Sequence, residues 1–186
     1  MDPTVIGKTD ISARDAVTYV HVVQGDYAVS DCEKTILTTI LGSCVSTCIS
    51  DPIAGVGGMN HFLLPGNKSG DTQSIRYGLY AMELLINGLL KKGASKSRLT
   101  AKLFGGASMS DGFGRIGEAN GRFALEFLSN EGIPCVAQSL GGTHARRIRF
   151  TPTTGYAQQL IVQQDELKTV LPAPVIPRSD TDVTFF

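Results

Sequence analysis

The sequence predicts an α+β fold: a layered sandwich of mostly antiparallel or mixed β-sheet with two main helices packed on one side. Three observations carry this. Two stretches have helical periodicity, and about seven short runs are rich in β-branched residues or alternate in polarity. Their order is strands, helix, strand, helix, strands. Two helices cannot cover both faces of so many strands, so both should lie on one face.

The elements follow in order. Thr18–Val23 is rich in β-formers and Gln24-Gly25-Asp26 turns the chain into a second run at Tyr27–Val29. Ile36–Ile40 reads as a third strand, entering a hairpin over residues 41–65 that turns at Asp51-Pro52-Ile53-Ala54. Over 72–92, Ile75, Leu79, Met82, Leu85, Ile86, Leu89 and Leu90 recur at spacings of three and four, and Gly93 suits the residue after the helix end. Leu99–Phe104 is a strand closed by Gly105-Gly106. Residues 116–130 form a second helix with Phe123, Phe127 and Leu128 inward, and 134–140 return as a strand. Arg146–Phe150 and Tyr156–Val162 make a last hairpin around Pro152–Gly155. Residues 1–15 read as an N-terminal arm, 16–164 as one domain, and 165–186, with Pro172, Pro174 and Pro177, as a C-terminal tail.

Composition narrows the function. Lys plus Arg and Asp plus Glu are both 17, so the net charge is zero. Such a chain has no long-range attraction for nucleic acid or anionic lipid, and neither is expected as a partner. No apolar run approaches the roughly 18–20 residues that span a bilayer, so no membrane insertion is expected. The N-terminus lacks the basic and apolar regions of a secretory signal, which suits a cytoplasmic protein. Cys32, Cys44, Cys48 and Cys135 should then be reduced thiols.

One of those thiols has a chemical setting. A hairpin centred on residues 51–54 brings Cys44 opposite His61, where side chains on one face lie about 5 Å apart. A cysteine nucleophile and its base need that proximity. Gly42-Ser43 lets the backbone come close to a substrate and supplies amides for an oxyanion hole. Cys44, Ser46 and Cys48 share one face, while Val45, Thr47 and Ile49 point the other way. A bulge at Gly57-Gly58 would displace the register. The group that orients the imidazole is left open between Thr38 and Thr39, because Asn60 points away and Asp51 sits at the far end of the hairpin. A zinc site from Cys44, Cys48 and His61 with Cys32 or Cys135 is the weaker alternative, since no second paired-ligand motif exists. His21 reads as a strand residue. His144, with Arg146-Arg147, reads as a basic turn. Gly105-Gly106-Ala107-Ser108 lacks the lysine of a phosphate loop.

Several separate motifs add a resemblance. Leu41–Val45, Gly57–Pro65, Lys102–Ala107, Ile116-Gly117 with Asn120, and Leu140–Gly142 with Arg146 and Phe150 are similar to the chemoreceptor glutamine deamidases, the CheD family. The match runs in order over roughly residues 16–164. The resemblance implies a Cys-His-Thr triad on a sandwich of sheets and helices like the catalytic domain of deamidating bacterial toxins such as the cytotoxic necrotizing toxins. It places the triad at Cys44, His61 and Thr38, with backbone support from Gly42 and Ser43. It implies hydrolysis of glutamine side chains on methyl-accepting chemotaxis receptors, in some members also of glutamate methyl esters. It implies a chemotaxis phosphatase of the CheC type as a regulatory partner. Such a site needs no metal or organic cofactor. The competing reading is a non-catalytic adaptor that binds receptors or the phosphatase through the same surface.

Overall fold

The structure is a computed structural model that describes residues 16–64, 72–108 and 114–162. The expected arm and tail, residues 1–15 and 165–186, lie outside the described residues. The strands are β1 (Thr18–His21), β2 (Tyr27–Ser30), β3 (Thr35–Leu41), β4 (Val45–Asp51), β5 (Val56–Asn60), β6 (Thr100–Gly105), β7 (Cys135–Leu140), β8 (Ala145–Thr151) and β9 (Tyr156–Val162). The helices are α1 (Thr72–Lys91) and α2 (Gly114–Asn130).

These strands form two sheets. One has four strands in the order β1-β3-β8-β9, the other five in the order β2-β5-β4-β6-β7. Pairing is antiparallel except for β1 with β3 and β6 with β7, so both sheets are mixed. Helix α1 packs on β2, β4 and β5, and α2 on β4, β6 and β7. Both helices therefore cover one face of the five-stranded sheet, as the element order predicts. Its other face packs on the four-stranded sheet.

Strand alternation sorts the core. Val45 and Ile49 of β4 pack with Met82, Leu85 and Leu89 of α1 and Phe127 and Leu128 of α2. Cys48, from the opposite face of β4, packs with Leu37, Met59, Ile148 and Phe150 between the sheets. Strand β4 is thus buried along its whole length, and each large apolar side chain it hides contributes about 1.5–3 kcal/mol. The apolar stripe of α1 is wider than its buried part. Ile75, Leu79 and Leu90 remain partly exposed at its edges.

The β4–β5 hairpin corrects the expected register. Asp51 pairs with Val56 and Cys48 with Met59. The loop is Pro52–Gly55, closed by the Gly55 amide donating to the Pro52 carbonyl (3.3 Å), with Gly55 at φ +65°. The turn centre therefore lies one residue further on than the Asp-Pro pair suggests. Gly57-Gly58 forms no bulge. A Cβ on Gly57 would lie 2.3 Å from the Pro152 carbonyl oxygen, and one on Gly58 would lie 2.7 Å from that of Ala28. These glycines let β5 sit close to its neighbours.

The buried Asp51 carboxylate fastens the closed end of the hairpin. It accepts from the amides of Ser95 (2.9 Å) and Ala54 (3.2 Å) and pairs with Arg98 (2.7 Å). Arg98 is the chief cause that holds its pKa down to about 2, against burial, which pushes it up. The stabilisation is complete above the ordinary carboxylate value near 4 and is lost as pH falls through about 2.

Candidate active site

Cys44 sits in the short loop between β3 and β4, which crosses from one sheet to the other. Each carbonyl of that loop is held. Gly42 O accepts from the Ala107 amide (2.8 Å), Cys44 O from the Gly106 amide (2.7 Å) and Ser43 O from Asn120 Nδ2 (3.0 Å). Asn120, fully buried on α2, also accepts the Leu64 amide at Oδ1 (2.8 Å). The carbonyls are turned into the protein, while the amides of Ser43 and Cys44 donate to no backbone carbonyl among the described residues outside the ladders.

Glycine makes this approach possible. Gly105 has φ +114°, and a Cβ there would lie 2.1 Å from Cys44 O. Gly117 of α2 comes equally close to the strand end, since its Cβ would lie 2.4 Å from Gly106 O.

His61 follows β5 on the face that looks across to the four-stranded sheet. Extending the pairing, Val45 lies opposite Phe62, so Cys44 and His61 are diagonal rather than directly opposed. A shift of two positions preserves the face, because side chains alternate with period two. The imidazole is buried, and its backbone is clamped by the segment joining β1 to β2. Gly25 donates to His61 O (2.7 Å) and His61 donates to Asp26 O (3.0 Å).

The imidazole is oriented by Thr39, and this departs from the expected role of Thr38. Thr39 Oγ1 lies 2.9 Å from His61 Nδ1. Thr38 Oγ1 instead donates to Ile148 O (2.8 Å). The physical reason is strand alternation. Along β3, Thr35, Leu37, Thr39 and Leu41 face the space between the sheets, and Ile36, Thr38 and Ile40 face outward.

The hydrogen bonds around Thr39 also assign the tautomer. Thr39 Oγ1 donates to Val22 O (2.7 Å), a carbonyl that can only accept. Its remaining capacity toward His61 is as an acceptor, so Nδ1 carries the proton. Val22 O, 3.3 Å from Nδ1, favours the same assignment. Nε2 is then a bare lone pair. It is buried and has no hydrogen-bond partner among the described residues.

Burial pushes the Cys44 thiol up from its ordinary range, and its own backbone amide pulls back more weakly. Burial likewise lowers the His61 imidazole, aided by the nearby His21, while Val22 O opposes the shift. Both shifts favour neutral thiol and neutral imidazole over a thiolate–imidazolium pair. A neutral imidazole whose Nε2 lone pair is bare is chemically able to accept a proton.

The Cys44 thiol donates to Gln24 Oε1 at 3.4 Å. In the sequence Gln24 is only the start of a turn, so its place at the sulfur was not legible. Asn120 appears there only as part of a motif. Cys48 is fully buried and its thiol is pushed up to about 12 by burial, so it packs as an apolar group. Among the described residues no cluster of three His, Cys, Asp or Glu could hold a metal ion. Arg146 belongs to no exposed basic patch. It is buried and donates to the carbonyls of Ser139 and Gly141 and to Ser139 Oγ (3.0 Å). No described helix is long and apolar enough to cross a membrane.

The two threonines give a test. Thr39→Val should lower turnover about tenfold, the worth of one buried hydrogen bond. Thr38→Val should change it less than about twofold, since an outward hydroxyl is replaced by a good β-former. Steady-state rates with both variants decide; a larger loss at Thr38 would contradict the assignment.

Comparison with known proteins gives a consistent result. Residues 63–159 match the family model described as CheD chemotactic sensory transduction. A Cereibacter sphaeroides protein is 49% identical over 178 residues, covering 95% of this chain and 89% of the relative. An Agrobacterium fabrum protein is 49% identical over 178 residues, covering 92% and 98%. A Rhizobium leguminosarum bv. trifolii protein is 46% identical over 179 residues, covering 92% and 97%. All three carry the name "Probable chemoreceptor glutamine deamidase CheD". Among solved structures, a Neisseria meningitidis protein of family model DUF152 aligns with a TM-score of 0.44 at 13% identity, covering 69% of this chain and 64% of that one.

Proposed function

The chain belongs to the CheD family, and from that premise we propose that it hydrolyses glutamine side-chain amides of chemoreceptors to glutamate through a thioester on Cys44. The observation that carries this reading is the His61 imidazole, with Nδ1 tied to Thr39 and Nε2 buried and bare, on the same face as the Cys44 thiol.

In this mechanism the thiol turns its proton from Gln24 to His61 Nε2 as the sulfur attacks the amide carbon. Thr39 holds the imidazolium by accepting from Nδ1. The Cys44 amide, with Gly42 and Ser43 shaping the turn, faces the developing oxyanion. Imidazolium then protonates the amide nitrogen, which departs as ammonia. Water, activated by neutral His61, hydrolyses the thioester to glutamate and restores the thiol. The same steps would cleave a glutamate methyl ester with methanol as the leaving group. Action on the cytoplasmic parts of receptors and regulation by a CheC-type phosphatase belong to the same reading.

The test is incubation of the full chain with purified receptor cytoplasmic fragments. One ammonia should appear for each glutamine that gains about 1 Da in the fragment's mass spectrum, the difference between carboxamide and carboxylate. Binding of the fragment with neither ammonia nor a mass change would favour the adaptor.

A further inference from the structure

We propose that Gln24 is a further catalytic residue, whose side-chain amide donates to the oxyanion formed when Cys44 attacks. The assignment rests on the thioester reading above.

The carboxamide of Gln24 touches the reacting atom. Its Oε1 accepts from the Cys44 thiol at 3.4 Å, and its Nε2 is bonded to the same carbon. Gln24 is exposed, so this placement does not serve core packing. It is nevertheless well located. Gln24 lies in the segment whose Val22 carbonyl meets His61 Nδ1 (3.3 Å), whose Gly25 amide donates to His61 O (2.7 Å) and whose Asp26 carbonyl accepts from His61 N (3.0 Å). One segment thus fixes the backbone of both the base and Gln24.

No described side chain other than Gln24 hydrogen-bonds the Cys44 sulfur, and no lysine or arginine is among its partners. The Cys44 amide lies beside its own sulfur and is well placed to serve as one donor. Alongside the Ser43 amide, a further donor can come from the Gln24 carboxamide held at the same sulfur.

A carboxamide suits both stages because it holds an acceptor and two donors on one rotor. With the thiol protonated, Oε1 accepts S–H. In the attack, Sγ bonds to the substrate Cδ, the carbonyl π pair moves onto oxygen, and the thiol proton passes to His61 Nε2. Rotation about the Gln24 Cγ–Cδ bond then presents N–H to that oxygen. On collapse the C=O re-forms, His61 gives its proton to the amide nitrogen, and the Cδ–N bond breaks to release ammonia.

The experiment compares wild type, Gln24→Ala and Gln24→Glu as full chains. Their melting temperatures should agree, since Gln24 is exposed on a loop. Both variants should lose about 10²-fold in kcat for receptor-fragment deamidation, with KM changed less than about twofold. Cys44-dependent hydrolysis of p-nitrophenyl acetate should fall in parallel, because it also passes through an oxyanion. Alkylation of Cys44 by iodoacetamide, a displacement with no oxyanion, should change less than about threefold in Gln24→Ala. A Gln24→Ala enzyme with wild-type or higher kcat overturns the proposal, as does an equal loss in alkylation. Wild type that cleaves the ester through Cys44 yet releases no ammonia would instead sink the receptor reading, and the ester rates would still decide the role of Gln24.

Discussion

Cys44→Ala should release no measurable ammonia from receptor fragments, a loss of at least about 10⁴-fold, while its melting temperature should stay near wild type. The expectation follows from its position. Cys44 is partly exposed at the edge of the inter-sheet core, so removing the sulfur opens no large cavity. No other thiol can take over. Cys48 is buried in the core, its thiol pushed up to about 12, Cys32 precedes the start of β3 and Cys135 pairs with Ala101, both at the opposite strand ends from Cys44. Ammonia release by Cys44→Ala at a tenth of the wild-type rate would refute the thioester mechanism.

The pH dependence of wild type follows from the same two groups. Burial lowers His61, so the neutral base persists below the ordinary histidine value near 6.5, and the acid limb of kcat/KM should fall there. Burial raises Cys44, so neutral thiol persists to alkaline pH and the profile between should be flat. An alkaline limb just above the ordinary histidine range, where an imidazolium would lose its proton, would mean instead that the free enzyme holds a thiolate–imidazolium pair.

Gly105→Ala should cost about 3–5 kcal/mol and remove activity as well. Part of the cost is the left-handed φ of +114° imposed on an L-residue, about 1–3 kcal/mol. The rest is overlap of Cβ with the Cys44 carbonyl oxygen at 2.1 Å, which neither backbone can escape without breaking the Gly106-to-Cys44 bond (2.7 Å). Gly93→Ala is the matched control. Its φ of +94° carries similar strain, but nothing lies within 4 Å of its Cβ. Urea midpoints for the two variants separate strain from overlap; equal losses would show that the close approach to Cys44 adds nothing.

The sequence carried the architecture well where burial is one-sided. The stripe in 72–92 predicts α1 to within a residue, and alternation in β4 sorts Val45, Thr47 and Ile49 from Cys44, Ser46 and Cys48. It also placed Cys44 and His61 on one face. The register failed because Asp51-Pro52 marks a turn start without setting the loop length, and Gly55 extends it. The choice between Thr38 and Thr39 stays open in the sequence for a different reason. Adjacent threonines occupy opposite faces, and which face meets His61 depends on how the second sheet docks. Gln24, Asn120 and the Val22 carbonyl act through contacts 20 to 77 positions apart, which no local pattern encodes.

His61 directly follows β5 of one sheet and Thr39 lies in β3 of the other, and they meet where the sheets face each other. The imidazole is thus aimed by a contact that forms after both sheets have assembled and docked. A chain still emerging from the ribosome, or one with the sheets apart, has the thiol but no aimed base. On the proposed mechanism, competence to modify a receptor would report completed folding, and loosening of the inter-sheet core around Ile148 and Phe150 would silence the site before the chain unfolds.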